Sequence, residues 1–399
     1  MPEEIRAVPL DSLVSDKISY GIVQPGNLEA DGVPIVRVKD VRNGKIDTSD
    51  PLVVSREVEQ KYARTRLRGG EVLLTLVGSV GEVAVASEEV RGWNVARAIA
   101  VVRPSSEVTA QWLRLVLSSS AAQRYFSDRL NTTVQATLNL KDVRTLPVPM
   151  PSPRERDAVC AVVGALDDKI AVNERIATTA IELADAIYLQ AVSGVEPGDE
   201  TFGSVATVGG GGTPSTKVES YWGGDIAWTT PSDVTALPSP YLFNTGRKVT
   251  SEGLEMCASP LYPANSIFMT SRATIGAFAL PQIPAAVNQG FIVVTPPGEP
   301  MRWWLFHEMR SRVPEMFSLC NGSTFLELSR KNFKDLKVRL PGADEIEKFA
   351  RVAAPLHGRA VHAAEENHLL VETRDTLLPQ LMSGRLRVKD AEKIVEDHV

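Results

Sequence analysis

Shifted by 190 residues, the sequence falls back on itself: residues 131–194 align with 321–384 without a gap. Fourteen of the 64 pairs are identical, several times the chance level. They include Lys141/Lys331, Pro151/Pro341, Glu155/Glu345, Leu166/Leu356, Asp185/Asp375 and Gly194/Gly384. A repeat of this length means two copies of a domain with its helix, not a short-period solenoid. It predicts a pseudo-twofold chain with two similar tasks.

The matched part contains long helical patterns. Ser152, Pro153 and Glu155 supply N-cap, N1 and N3, a capping box, and no further proline occurs before Pro197. A heptad-like register runs through Val159, Val162, Leu166, Lys169, Asn173, Ile176, Ala180, Leu183 and Ile187. The polar pair inside it, Lys169 and Asn173, is of the kind that fixes register in a coiled coil. The second copy reads Phe349, Val352, Leu356, Arg359, Ala363, Glu366, Leu370, Thr373, Leu377, with Pro355 and Gly358 predicting a kink or break. A helix of ~39 residues is about 58 Å long. It outreaches a small domain and needs a partner for its apolar stripe, and the other copy is the obvious one.

Ahead of each helix lies a globular unit of β-branched runs broken by turns. Residues 34–38, 71–76, 81–85 and 99–102 read as strands in the first, and 225–229, 266–270, 276–280 and 291–294 in the second. Short helices near 109–126 and 301–318 close the units. The fold class is therefore α+β, with two mixed α/β domains joined by two long antiparallel helices. The segments are a first domain at 1–150, a central helix at 151–200, a second domain at 201–341, a distal helix at 342–387 and a tail at 388–399.

The net charge of −6 argues at first against a polyanion partner. Its distribution does not: residues 1–150 carry +1 and 201–341 carry +2, while 151–200 carry −6 and 342–399 carry −3. Acidity sits on the helices, which leaves the globular units open to nucleic acid. No apolar run approaches the ~18 residues of a membrane span, and the start shows no secretory leader pattern. Three well-separated cysteines, Cys160, Cys257 and Cys320, fit a reducing cytoplasm.

Motifs for catalysis are missing. Residues 209–217 are glycine-rich but ordered wrongly for a phosphate loop, and His307-Glu308 begins no HExxH. The five histidines, at 307, 357, 362, 368 and 398, show no ligand spacing. Asp50, Glu59 and Lys61 could form the carboxylate–carboxylate–lysine set of a metal-dependent nuclease, and they keep that alternative open. What recurs is polar chemistry at matched strand ends. The first unit offers Arg37, Lys39, Arg42, Asn43 and Lys45, then Thr75 and Ser79, then Arg97. The second offers Thr229, Thr230 and Ser232, then Thr270, Ser271 and Arg272, then Asn288 and Gln289. Such residues hydrogen-bond base edges and phosphates.

Two stretches carry a resemblance. One is Gly-Gly-Thr-Pro-Ser-Thr at 211–216, followed by Tyr221-Trp222-Gly223-Gly224-Asp225-Ile226 and Trp228. The other is the 369–384 ending with its Arg374-Asp375-Thr376-Leu377-Leu378-Pro379 core. Leu166 to Asn173 adds a third, weaker match. The chain resembles the specificity subunit of a type I restriction–modification system. The resemblance implies a non-catalytic protein whose two target-recognition domains read a bipartite double-stranded DNA site. It implies a helical spacer docking two methyltransferase subunits, and through them restriction subunits. S-adenosylmethionine, ATP and Mg2+ would then sit on those partners, with no cofactor or metal on this chain. It adds Thr213, Ser215, Thr216 and Lys217 to the candidate DNA contacts. The first unit lacks the Gly-Thr-Pro opening, and residues 14–21 are its loose equivalent. A coiled-coil scaffold that binds only proteins is the remaining alternative.

Overall fold

The computed structural model describes residues 5–26, 28–42, 44–131, 136–320 and 326–396, with backbone alone at 28–30. Asn43, Asn321 and His398 lie outside the described residues. The chain divides into two units, one of Met1–Asp168 with Leu370–Val399 and one of Lys169–Leu369. Each unit therefore holds one globular domain and a stretch of both long helices.

In the first unit the β-branched runs form a four-stranded antiparallel sheet, ordered Ser19–Tyr20, Ile99–Val102, Val72–Thr75, Val83–Val85. A second sheet places Leu28–Val36 between Leu52–Val54, antiparallel, and Asn94–Val95, parallel. Helices Ala110–Ser118 and Ser120–Ser127 cover the first sheet with the fully buried Trp112 and Phe126. Burying a side chain of this size contributes roughly 1.5–3 kcal/mol. Val159, Val162 and Val163 of the central helix join the same core, as do Leu377, Leu378 and Leu381 of the distal one.

The second unit repeats the plan. Its larger sheet runs Thr207–Gly209, Phe291–Thr295, Ile267–Thr270, Phe278–Pro281, Tyr241–Leu242, the last strand joining in parallel. Its smaller sheet places Trp222–Thr229 between Arg247–Val249 and Ala285–Val287. Trp304 is the counterpart of Trp112. The indole of Trp112 donates to Pro149 O at 3.0 Å, and that of Trp304 to Arg339 O at 2.8 Å. Below it lies a buried charge cluster: fully enclosed Glu308 accepts from Arg312 (3.0 Å), Arg339 (2.7 Å) and the Tyr188 hydroxyl.

The central helix spans Pro153–Ala191, and its capping box is formed, with Ser152 N–H donating to the Glu155 carboxylate at 3.0 Å. The distal helix spans Ala343–Met382 and runs unbroken through Pro355 and Gly358. The proline forfeits one backbone hydrogen bond. Burial of Phe349, Ala353 and Ala360 on the same helix holds it in place. Both helices end before a glycine with positive φ, Gly194 (79°) and Gly384 (69°). In the second unit the helices run antiparallel, with Asn173 donating to Glu366 at 2.7 Å, Lys169 pairing with Glu366 at 3.0 Å and Tyr188 packing on Phe349. In the first unit Asp167 pairs with Arg374 at 3.1 Å in the same sense. The polar seam residues thus set the register.

The heptad reading needs correction at two apolar positions. Leu183 (49% exposed) and Val352 (46%) face solvent. The buried stripe runs instead through Ala177, Ala180, Ile181, Ala184 and Tyr188. At 3.6 residues per turn a straight helix drifts off a 3.5-residue pattern, and here each helix packs on a domain as well as on its partner. Val159, Val162, Leu166, Phe349, Leu370 and Leu377 are buried, and Ile176, Ile187 and Leu356 are half-buried. The tail after residue 387 forms a further helix, Val388–Glu396, that buries Ala391 in the first unit's core.

Candidate nucleic-acid interface

One set of hydrogen bonds recurs in both domains and gathers the candidate residues at the strand ends. Val36 O accepts from Ala96 N (2.9 Å) as Thr229 O accepts from Asn288 N (3.0 Å). Ala98 O accepts from Leu76 N (2.7 Å) as Gly290 O accepts from Ser271 N (2.8 Å). Leu76 O accepts from Leu138 N (2.8 Å) as Ser271 O accepts from Leu328 N (3.0 Å). After each central strand a carboxylate caps the turn: Asp40 accepts from Arg37 N–H and Asp233 from Thr230 N–H, both at 2.8 Å. Ser55 and Thr250 cap the next helices, accepting from Val58 N–H (3.2 Å) and Gly253 N–H (3.1 Å).

The opening segment is matched too. A Cβ on Gly21 would lie 1.8 Å from Val95 O, and one on Gly211 1.8 Å from Val287 O. Only glycine allows that approach, and Ile22 N–H and Gly212 N–H then donate to those same carbonyls. The loose resemblance of residues 14–21 hides an equivalent backbone. In the second domain the indoles of Trp222 and Trp228 donate to Ser215 O (3.2 Å) and Gly212 O (3.1 Å). The tryptophans of the motif therefore pin its glycine-rich stretch.

Several sequence candidates prove to be part of this frame. Thr75 and Thr270 are buried, and each hydroxyl accepts a backbone N–H seven residues on, from Glu82 (2.9 Å) and Ala277 (3.0 Å). Thr229 and Ser271 are buried as well. Thr230 and Asn288 have side chains turned to local backbone or cap partners. Burial and these bonds correct the reading of the four buried residues as exposed contacts.

The rest remain at the surface on matched positions, with different chemistry. Arg37 stands where the second domain has Thr230, Lys39 where it has Ser232, Val77 where it has Arg272, and Arg97 where it has Gln289. Arg37 is held by a two-point contact to Asp40 (2.8 and 3.0 Å), which raises its pKa. Lys39 pairs with Asp50 at 3.4 Å. Arg42, Lys45, Ser79, Arg97, Ser215, Thr216, Lys217 and Ser232 are exposed. Thr213 donates to Gln289 at 2.6 Å, and Arg272 pairs with half-exposed Glu327 at 2.8 Å. Arg272 precedes Ala273, whose φ of 58° strains a residue with a side chain.

Sequence reasoning missed Arg247. Its guanidinium stacks on Trp222, 3.5 Å from the ring centre, at the register position opposite Trp228. The two tryptophans were the visible signal, but their partner strand lies 19 residues beyond Trp228, out of reach of local spacing.

The carboxylate–carboxylate–lysine set dissolves. Glu59 is buried against Arg66, which lowers its pKa, while Asp50 serves Arg37 and Lys39, and Lys61 pairs with Glu57 (2.9 Å). Among the described residues no cluster of three or more metal-ligating side chains exists.

Comparison with known proteins agrees with this arrangement. A family model described as type I restriction modification DNA specificity domain matches twice, over residues 22–181 and 199–352. The MjaIX type I restriction enzyme specificity subunit of Methanocaldococcus jannaschii is 31% identical over 168 residues, 42% of this chain and 39% of that protein. The EcoBI specificity subunit of Escherichia coli is 30% identical over 162 residues, 40% of this chain and 34% of that protein. These two alignments thus span little more than a third of either relative. The crystal structure of a type I restriction–modification S subunit from M. genitalium shares the fold, with a TM-score of 0.52 at 14% identity, covering 96% of this chain and 97% of that one.

Proposed function

Because the chain belongs to the type I restriction–modification DNA specificity family, we propose that its two domains read two separate parts of one DNA target, and that its long helices dock methyltransferase subunits. The observation that carries the first part is the matched frame with unmatched side chains. Identical backbone hydrogen bonds hold both surfaces, while Arg37, Lys39 and Arg97 give way to Thr230, Ser232 and Gln289. Two readers of one geometry and different chemistry suit two different sequences. Linking them on one scaffold raises affinity through effective concentration.

Docking of protein is supported by five large apolar side chains left in solvent on the helices of the second unit: Val172, Leu183, Leu189, Val352 and Leu369, each 46–54% exposed. Docked subunits would bring S-adenosylmethionine, and restriction subunits joined through them would bring ATP and Mg2+. This chain would supply recognition and no catalysis.

The test is purification of the native chain from its own cells. A methyltransferase should copurify, and the assembly should protect two DNA segments separated by a gap. Recovery of the chain alone, with no protected DNA, would refute the reading.

A further inference from the structure

In the first unit a cleft of about 440 Å³ opens between the edge strand Ser19–Tyr20, the turn around Arg64 to Arg68, and the helix Leu140–Arg144. Its lining carries Lys17, Arg64, Arg68, Arg103 and Arg144 against one acid, Asp16. Five cations facing one carboxylate in a concave site concentrate positive potential.

Some of that charge is committed. Arg103, 8% exposed, pairs with Glu71 and Asp16, both at 3.3 Å, and donates to Arg64 O (2.8 Å) and Arg66 O (2.9 Å). It forms a fixed floor. Arg68 reaches the same Asp16 at 3.6 Å. Arg144 donates to Ile18 O at 2.6 Å, yet its buried Nε has no hydrogen-bond acceptor among the described residues. Asp11, at 3.7 Å, is too far to serve. Lys17 and Arg64 are exposed, and neither has an ion-pair partner among the described residues. The Arg144 Nε thus lies on the side of Asp11, outside the cleft lining, and the cleft keeps two free cations, Lys17 and Arg64. That set suits a phosphate, which offers several acceptor oxygens and negative charge.

The second domain lacks it. At the matched positions, Lys17 becomes Thr207, Arg64 becomes Ser259, Arg68 becomes Pro263 and Arg103 becomes Thr295, and only Arg144 keeps a cation, as Lys334. The asymmetry sets the cleft apart from the shared frame.

We propose that this cleft is a phosphate-binding site that holds a DNA backbone phosphate when the first domain engages its DNA. The assignment rests on the DNA-reading function proposed above. It gives the first domain a backbone contact that carries no sequence information.

The test compares the assembled complex with one bearing Lys17→Gln and Arg64→Gln, two exposed changes that leave the core intact. DNA affinity is measured across a salt series. Loss of one phosphate contact should make the log–log salt slope shallower by about 0.9, and weaken binding about fivefold near 0.15 M salt. The methylated motif should stay the same. An equal-charge control, Lys389→Gln with Lys393→Gln on the terminal helix, should not move the slope. Unchanged slope and affinity in the cleft variant overturn the proposal, and so does an equal shift in the control. Pyrophosphate titrations separate the two sources of phosphate. Pyrophosphate binding lost in the variant, with an unchanged DNA slope, would reassign the cleft to a free phosphate and overturn the DNA contact. If the unmodified complex binds no DNA, the functional reading itself falls. If it binds and the variant matches it, only the cleft assignment falls.

Discussion

Mild acid should loosen the second unit and spare the first. His357 is 1% exposed and stacks on Trp303 at 4.0 Å. Its Nε2 lies 2.9 Å from His307 Nε2, its Nδ1 lies 2.8 Å from the Tyr241 hydroxyl, and His307 Nδ1 lies 2.6 Å from Asp185. The Asp185 carboxylate only accepts, which orders the chain. His307 donates through Nδ1 and accepts at Nε2 from His357, whose Nδ1 accepts from Tyr241. Both imidazoles are neutral in this arrangement. Burial holds the His357 pKa down to about 2, with His307, Arg302 and Arg310 adding to the effect and Asp185 opposing it. Burial also lowers that of His307, again against Asp185. The groups that face the pair are thus Asp185, Tyr241, Arg302 and Arg310.

An unfolded histidine titrates near 6.5, so below that pH the unfolded state binds protons that the native state refuses. Stability is then fully present above about pH 6.5 and is lost as the pH falls. From pH 7.0 to 5.5 the loss is about 1.3 kcal/mol from His357, and His307 adds to it in the same direction. Carboxylates titrate lower and contribute little in this window. The matched positions of the first unit, Leu115 and Asp167, carry no histidine. Hydrogen exchange at both pH values, corrected for the intrinsic rate, reads the two units separately. Opening of Glu299–Ser311 should become easier by at least about 1.3 kcal/mol, and that of Ala110–Ser118 should hardly change. His357→Gln should remove most of the pH response. Equal responses of both helices, or greater protection at pH 5.5, would refute the neutral buried pair.

Glu308→Ala strands Arg312 and Arg339 in the core and should cost about 3–5 kcal/mol, read by denaturant unfolding of the second unit. A loss below about 1 kcal/mol, the size of a solvent-exposed ion pair, would mean solvent already screens the cluster. Gly211→Ala drives a methyl group into Val287 O and should abolish reading by the second domain while the first still binds its own segment. Intact methylation would contradict the close approach. Arg272→Ala should weaken DNA binding by about 1–3 kcal/mol and barely change thermal stability, because its partner Glu327 is half-exposed. Unchanged affinity would remove Arg272 from the interface.

The frame was legible in the sequence because it kept its spacing. Leu138/Leu328, Leu166/Leu356 and Gly194/Gly384 all stand 190 residues apart. In the heads the matched pairs drift, from 190 at Gly21/Gly211 to 193 at Asp40/Asp233 and 195 at Thr75/Thr270. Small insertions in the loops shift them, so backbone equivalence survives where residue identity does not. Polar residue type also misled. Thr75 and Thr270 were legible as matched, but a threonine that satisfies a buried N–H reads the same as one that faces a base. The His307–His357–Asp185 chain left no trace, because its members lie 50 and 122 residues apart and meet only through helix packing. Leu183 and Val352 fit the heptad and still face solvent, since the domain competes with the partner helix for each helix face.

Two unlike readers on one frame is the claim on which the rest depends. Sequencing the methylated motif of cells that express this chain with its methyltransferase tests it most directly. The expected result is a split motif of two short specified segments around unspecified bases. Exchange of residues 201–341 for those of another family member should change one segment and leave the other. A single continuous motif, or a change in both segments on that exchange, would contradict it.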